Sequence, residues 1–198
     1  MPSQTGNRAI TVVLCGVGGQ GTILAADLLA RAAMADGLQV KLSEIHGMAQ
    51  RGGAVSTIVR FGSTVSSMVA DIGCADYVVS FETTEALRNV PFLKQGGTML
   101  VNDESIKPLP VATGRAAMPA QARKKLLDLD ATLIPAGSLA RAAGSSKSTN
   151  VVLLGGLASY LDFPVASWEE IIAAQVPQKT IAANLAAFRA GLASVRGE

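Results

Sequence analysis

The feature that most constrains the fold is a short apolar run followed at once by a cluster of glycines. Residues 9–15 are rich in Val and Ile and end at Gly16, which is the pattern of a strand buried on both faces of a parallel sheet. The sequence Gly16-Val-Gly-Gly-Gln-Gly21 follows, and apolar residues at helical spacing then continue to Gly37. The sequence therefore predicts a strand, a glycine turn and a helix in direct succession.

The rest of the chain reads as further α/β structure followed by helices. A strand at residues 39–43 would complete a β-α-β unit with a right-handed crossover. More strands are predicted at residues 54–61, 64–69, 76–81, 97–101 and 131–134, and the first two of these are expected to pair antiparallel. No strand pattern is evident after residue 150. We therefore predict a single α/β domain over residues 1–198, with its core at about 8–145 and a helical C-terminal region at about 148–196.

The last helical stretch carries one apolar stripe. Its apolar residues are spaced four, three, four and three apart: Ile181, Leu185, Phe188, Leu192 and Val195. This spacing places them on one face of a helix. The face could pack on the sheet of its own domain or against a partner protein.

Charge content argues for a protein interface. Charged residues make up 16% of the chain, below the roughly 25% of an average soluble domain, so we expect a large surface to be covered by another protein. The 17 basic and 15 acidic residues nearly balance and aromatic residues make up 4%. This composition disfavours a nucleic-acid-binding groove, which would need a basic surface with stacking platforms.

The cysteine count limits the cofactors that the chain can hold. Cys15 and Cys74 are the two cysteines, too few for a disulfide framework or for an iron-sulfur cluster with four thiolate ligands. They are interpreted as buried small residues in a reducing compartment. Glycines interrupt the uncharged segment at residues 9–26, so it is a poor membrane span and a poor signal peptide. We expect a cytoplasmic protein with no membrane segment.

The glycine turn matches the G-x-G-x-x-G pattern in the required context, with a strand before it and a helix after it. Its candidate binding residues are Gly16, Gly18, Gly19, Gln20 and Gly21. Glycines there let the backbone approach a phosphate at a helix N-terminus. The acid that would bind a ribose is expected about 20 residues on, but Lys41 stands there and Glu44 comes three residues late. A dinucleotide site, another phosphate or carboxylate site, and a purely structural turn all remain open.

Residues 44–53 are interpreted as a polar loop. Glu44, His46 and Arg51 are candidate positioning residues, because a histidine can orient a substrate and an arginine offers a bidentate fork to a carboxylate or phosphate. The remaining candidates are assigned to an interface: Met48, Gln50, Gly52 and Gly53. A metal site is not expected, since no second histidine or nearby cysteine accompanies His46. The alternative is a hydrogen-bonded loop without a catalytic role.

Two blocks together carry a resemblance to a known family. The turn Gly16-Val-Gly-Gly-Gln-Gly21 and the block Ser43-Glu-Ile-His-Gly-Met-Ala-Gln-Arg-Gly-Gly53 resemble the gamma-type subunit family of 2-oxoacid:ferredoxin oxidoreductases. The resemblance runs from about residue 10 to 102, with weaker similarity at residues 150–155 and along the C-terminal helix. It implies a three-layer, Rossmann-like α/β fold with a mostly parallel sheet.

The resemblance also implies a division of labour between subunits. In such enzymes a large (alpha) subunit carries thiamine diphosphate, Mg²⁺ and iron-sulfur clusters. The implied reaction is oxidative decarboxylation of an aryl-pyruvate to an acyl-CoA, with coenzyme A as co-substrate and electrons passed to ferredoxin. This chain is expected to bind none of these cofactors alone and to be inactive without the large subunit. A homodimer is one possible state of the isolated chain. A dinucleotide-binding dehydrogenase that uses the glycine turn is the alternative.

Overall fold

A computed structural model describes residues 8–46, 53–105, 111, 113–115 and 117–197. The strands are Ile10–Val17 (β1), Gln39–His46 (β2), Ala54–Gly62 (β3), Ala75–Ser80 (β4), Leu93–Asn102 (β5) and Thr132–Ile134 (β6). The helices are Thr22–Ala35 (α1), Thr83–Asn89 (α2), Ala122–Leu127 (α3), Ala136–Ala142 (α4), Thr149–Ala158 (α5), Val165–Gln175 (α6) and Ile181–Arg196 (α7). Short 3₁₀ turns lie at Val90–Phe92, Ser146–Ser148 and Gln178–Thr180.

The strands form one sheet in the order β2-β3-β1-β4-β5-β6. Three pairs of neighbouring strands are parallel: β1 with β4, β4 with β5, and β5 with β6. The strand β3 pairs antiparallel with both β1 and β2. The predicted α/β class with a mostly parallel sheet and a helical C-terminal part is confirmed. Because the carboxyl ends of parallel strands meet at one edge, the turns after β1, β4 and β5 lie together.

Two details of the predicted sheet are wrong. The strand after α1 does not pair with β1, because β3 lies between them and uses both of its edges on β1 and β2. For the same reason residues 64–69 are not the partner of β3, and the structure describes no strand there.

The boundary of the predicted loop also changes. The β2–β3 ladder continues from Glu44 opposite Thr57 to His46 opposite Val55. Glu44 and His46 therefore belong to a strand and not to a loop. Pairing with β3 gives their backbone N–H and C=O groups hydrogen-bond partners, whereas in a loop these groups would bond to water. The side chain of His46 lies outside the described residues.

Helices cover both faces of the sheet. On one face a large apolar cluster joins α1, α5, α6 and α7 to the strands, with Trp168 and Phe188 completely buried in it. On the other face a smaller cluster holds Ala86 of α2 and Leu126 of α3. The C-terminal helices thus share the main core with the sheet.

The C-terminal helix α7 packs mainly on α5. Its buried residues are Asn184, Ala187, Phe188, Gly191 and Leu192. Of the predicted stripe, Phe188 and Leu192 are buried, whereas the other three residues are half-buried. The helix thus packs on its own domain. The face that it buries includes the small residues Ala187 and Gly191, which the spacing of the large apolar residues does not predict.

Candidate functional site

The glycine turn links the carboxyl end of β1 to the start of α1. Gly19 and Gly21 have φ values of +102° and +82°, which strain any residue with a Cβ atom. The amide N–H of Gly18 donates to the carbonyl of Gly53, 2.9 Å away. The turn is therefore fastened to the start of β3, where the β2–β3 connection ends.

Gln20 holds the turn in shape. Its Oε1 accepts from the amide of Val17 at 2.6 Å, and its Nε2 donates to the carbonyl of Phe81 at 3.2 Å. A Cβ atom on Gly16 would lie 2.6 Å from that Oε1 and 2.8 Å from Cβ of Phe81. The side-chain amide of Gln20 thus ties the turn to the end of β4, and Gly16 leaves the room for it.

Asn150, in the first turn of α5, reaches the same place from the other end of the chain. Its side chain is 4% exposed, and its Nδ2 donates to the carbonyl of Gly21 at 3.2 Å. A Cβ atom on Gly21 would lie 2.6 Å from this Nδ2. The N-termini of α1 and α5 are therefore held side by side.

Both helix N-termini are suited to an anion. Neither α1 nor α5 has an acidic residue in its first turn or a side chain that caps its free amides. Free N–H groups and the helix dipole give each end a partial positive charge. Two such ends side by side make this edge of the sheet a favourable place for a phosphate or carboxylate.

Two cavities flank the turn, and both include Gly19 and Gly21. The first, here called the Glu44 cavity, has a volume of about 510 Å³ and is lined by Gly18, Gly19, Gly21, Thr22, Ile23, Glu44 and Val55. The second, the Lys147 cavity, has a volume of about 490 Å³ and is lined by Gly19, Gln20, Gly21, Leu24, Phe81, Asn102, Glu104, Ser146, Lys147, Thr149 and Asn150.

Charge distinguishes the two cavities. The described lining of the Glu44 cavity contains a carboxylate and no cation. Lys147 is exposed and forms no ion pair with any described residue. The carboxylate of Glu104, in the same cavity, accepts from Nδ2 of Asn102 at 3.2 Å. A free ammonium beside two helix N-termini makes the Lys147 cavity the better anion site.

The structure brings part of the predicted site together. Glu44 lines one cavity together with three glycines of the turn, Gly18, Gly19 and Gly21, and Gly53 contacts the turn directly. Met48, Gln50, Arg51 and Gly52 lie outside the described residues, as does the side chain of His46.

Lys147 and Asn150 were missed by sequence reasoning. The available signal was a polar run, Ser145-Ser-Lys-Ser-Thr149, directly before an apolar helix, and its spacing does not match a P-loop.

Among the described residues, the remaining reactive groups do not come together in a second site. Burial raises the pKa of the Cys15 thiol to about 12, so it is not a nucleophile near neutral pH. Burial also raises the pKa of Glu85, beside it on α2, against the lowering effect of Arg88. The described residues contain no cluster of His, Cys, Asp or Glu able to hold a metal ion. Within the same part of the chain, no helix is long and apolar enough to cross a membrane.

Comparison with known sequences gives matches along almost the whole chain. The sequence model of the family described as "Pyruvate ferredoxin/flavodoxin oxidoreductase" matches residues 11–194. The "Indolepyruvate oxidoreductase subunit IorB" of Thermococcus kodakarensis is 40% identical over 196 residues, covering 96% of this chain and 97% of that protein. The subunit of the same name from Archaeoglobus fulgidus is 37% identical, covering 92% of this chain and 93% of that protein.

Solved structures share the fold. The gamma subunit of a keto/oxoacid ferredoxin oxidoreductase from Geobacter sulfurreducens has a TM-score of 0.71 at 23% identity, covering 96% of this chain and 99% of that one. A 2-oxoglutarate:ferredoxin oxidoreductase from Magnetococcus marinus, solved with 2-oxoglutarate, coenzyme A and succinyl-CoA bound, has a TM-score of 0.74 at 21% identity. The match covers 98% of this chain and 32% of the longer Magnetococcus chain.

Proposed function

The chain belongs to the pyruvate ferredoxin/flavodoxin oxidoreductase family, and we propose that it is the small subunit of an enzyme that oxidises indolepyruvate or a related aryl-pyruvate. The products would be an acyl-CoA and CO₂, with the electrons passed to ferredoxin. The observation that carries this proposal is the near full-length match to indolepyruvate oxidoreductase subunits. A self-sufficient dinucleotide dehydrogenase is not supported, because the matching proteins are subunits of 2-oxoacid oxidoreductases.

The partner in this proposal is a large subunit that carries thiamine diphosphate, Mg²⁺ and the iron-sulfur clusters. When bound there, thiamine diphosphate supports decarboxylation and the clusters accept the electrons. The residues of this chain do not fit a cluster, since it has two cysteines and a cluster is held by four thiolates. One of the two, Cys15, is buried and donates its S–H to the carbonyl of Glu85. We assign this chain to the binding and positioning of the co-substrate.

Coenzyme A is the co-substrate whose phosphates suit the Lys147 cavity. The cavity offers an ammonium group, the amides of two helix N-termini and a glycine turn whose backbone a ligand can approach closely. Phosphate groups are bound in this way by glycine-rich turns at helix N-termini. In this proposal Gly16, Gln20 and Asn150 set the shape of the turn, and Gly19, Gly21 and Lys147 face the phosphates.

The segment that joins β2 to β3 is proposed to complete the site of the large subunit. It ends at Gly53, whose carbonyl accepts from Gly18 of the turn. Arg51 in this segment, together with Glu44 and His46 at the end of β2, would have positioning roles. The adjoining residues would form the subunit interface: Met48, Gln50, Gly52 and Gly53.

Replacing Arg51 by Lys, and separately His46 by Gln, is expected to lower kcat/KM for the oxoacid in the assembled complex by about 30-fold. That is the effect of losing one charge-assisted contact worth about 2 kcal/mol in the transition state. Assembly is checked first by size-exclusion chromatography, and kcat and KM are then measured with saturating ferredoxin. If both variants assemble and work within about two-fold of the parent, the segment is structural.

The proposed function is tested by reconstitution. The purified chain alone is expected to show no visible cluster absorbance and no reduction of an electron-acceptor dye with indolepyruvate and coenzyme A. Adding the large subunit should restore aryl-pyruvate-dependent dye reduction, with the chain present in the active complex. Oxoacid oxidation by the chain alone, or a large subunit fully active without it, would contradict the proposal.

A further inference from the structure

A third cavity lies at the opposite end of the sheet from the glycine turn. It has a volume of about 160 Å³ and is lined by Ile10, Asp36, Leu38, Phe61, Tyr77, Tyr160, Leu161, Asp162 and Phe163. We call it the aromatic pocket. Ile10 begins β1 and the glycine turn follows its end at Val17, so the two sites are roughly 20–25 Å apart at about 3.3 Å per strand residue. The pocket is therefore separate from the proposed coenzyme site.

The walls of the pocket are aromatic. The rings of Tyr77 and Tyr160 lie 6.0 Å apart, and those of Phe61 and Phe163 lie 5.6 Å apart. The hydroxyl of Tyr77 donates to the carbonyl of Tyr160 at 3.2 Å, which holds one wall in place. Phe61 is completely buried whereas Tyr160 is 37% exposed, so the pocket has a closed apolar floor and an open aromatic rim.

The rim carries two negative charges. Asp36 and Asp162 are both exposed, and neither forms an ion pair with another described residue. None of the lining residues of the pocket is basic, although the chain as a whole has a net charge of +2. Burial and then the charges of Asp76 and Asp162 raise the pKa of the Tyr77 phenol. The pocket is thus a negative, aromatic site on a slightly positive protein.

We propose that the aromatic pocket binds an organic cation, an alkylammonium or guanidinium group, between its aromatic walls and its two aspartates. The faces of aromatic rings attract cations, and the attraction strengthens where water is partly excluded. Carboxylates at the rim add charge pairing and favour a cation over a neutral group of the same shape. The volume has room for a group of roughly five water-sized atoms, at about 30 Å³ each. Such a group can be a free amine or the end of a Lys or Arg side chain of a partner protein.

The test is a titration of the purified chain with n-butylammonium chloride and, in parallel, with butan-1-ol, its uncharged counterpart. Trp168 is the single tryptophan, and its ring lies 5.9 Å from that of Phe163, which lines the pocket, so we expect its fluorescence to respond to binding. We expect saturable binding of the ammonium with a Kd on the order of millimolar, and at least about fivefold weaker binding of the alcohol. Equal binding of the two compounds, or no saturation with the ammonium, would overturn the proposal.

Matched variants locate the binding. The double change Asp36→Asn and Asp162→Asn removes both rim charges at exposed positions and should weaken ammonium binding by roughly fivefold without affecting folding. The control changes Asp71→Asn and Asp128→Asn remove two exposed carboxylates outside the pocket and should leave binding unchanged. Equal effects of the two double variants would mean a nonspecific charge effect and would also overturn the proposal.

Assembly identifies the source of the cation. If a side chain of the large subunit fills the pocket, the assembled complex should no longer bind n-butylammonium, and the Asp36→Asn, Asp162→Asn variant should assemble more weakly. If the ligand is a free amine, the complex should bind n-butylammonium as the isolated chain does. Either result supports a cation site and distinguishes its two sources.

Discussion

Replacing Gly191 by alanine is expected to lower the free energy of unfolding by about 3 kcal/mol, although alanine at an ordinary helix position stabilises by about 1 kcal/mol over glycine. Gly191 lies where α7 crosses α5. A Cβ atom there would overlap the carbonyl oxygen of Val152 and lie 3.1 Å from the amide nitrogen of Gly156. Both neighbours are backbone atoms of a helix, so the added methyl group cannot be accommodated by a side-chain rotation.

The same crossing is constrained from the α5 side. A Cβ atom on Gly155 would overlap the carbonyl oxygen of Phe188. Moving the helices apart to relieve the overlap would open the main core around Val152 and Phe188, which are both completely buried. The loss of these packing contacts would lower the free energy of unfolding further. Gly155→Ala should therefore destabilise the protein to a similar extent.

Urea unfolding followed by Trp168 fluorescence measures the effect, because Trp168 is buried with its ring 5.8 Å from that of Phe188. Ala186→Val is the control. It enlarges a side chain on the exposed face of the same helix and should change the stability by less than about 0.7 kcal/mol. A Gly191→Ala protein at least as stable as the parent would show that the two helices do not cross this closely.

The part of the fold that the sequence predicts well is encoded within short stretches. The order of strand, glycine turn and helix follows from apolar runs and from glycines at Gly19 and Gly21, where the backbone does require positive φ. All the evidence for these elements lies within about 30 residues, so no long-range information is needed to place them.

Sheet order depends on pairings between distant segments, and the sequence predicts it less well. β3 reads as an alternating strand in the sequence, but nothing local to residues 54–62 says that it inserts between β1 and β2. The antiparallel insertion also extends β2 as far as His46, because β3 offers a backbone partner at each position up to Val55. The extent of the polar loop was therefore overestimated at its start.

The candidate site was predicted only where it is local. The glycine turn lies in one stretch, whereas Asn150 bonds to it across 129 residues of sequence. Lys147 comes to the same cavity because the packing of α5 in the main core, together with the bond from Asn150, holds the start of α5 beside α1. The importance of the polar residues before α5 is thus a consequence of helix packing, which no local sequence motif encodes.

The strongest effect on activity is expected from Lys147→Glu in the assembled complex. If the Lys147 cavity binds the phosphates of coenzyme A, this change removes the attracting charge and puts a repelling one beside two helix N-termini. Losing a charge-assisted contact costs about 2 kcal/mol, and a like charge in its place costs more. We expect KM for coenzyme A to rise by at least about 100-fold. KM for the oxoacid should change little, because the proposed function places the oxoacid on the large subunit.

The control for this prediction is Lys125→Glu, which makes the same charge reversal on α3 at an exposed position outside the cavity. It preserves the net charge of the Lys147→Glu chain, so a difference between the two variants reports on the site and not on overall charge. Initial rates are measured against coenzyme A at saturating oxoacid and ferredoxin, at low and at moderate salt. The gap between the variants should narrow as salt rises, since the exposed ammonium of Lys147 is screened. If the KM values for coenzyme A of the two variants agree within about two-fold, the phosphates do not lie in this cavity, and the glycine turn is a structural connection between β1 and α1.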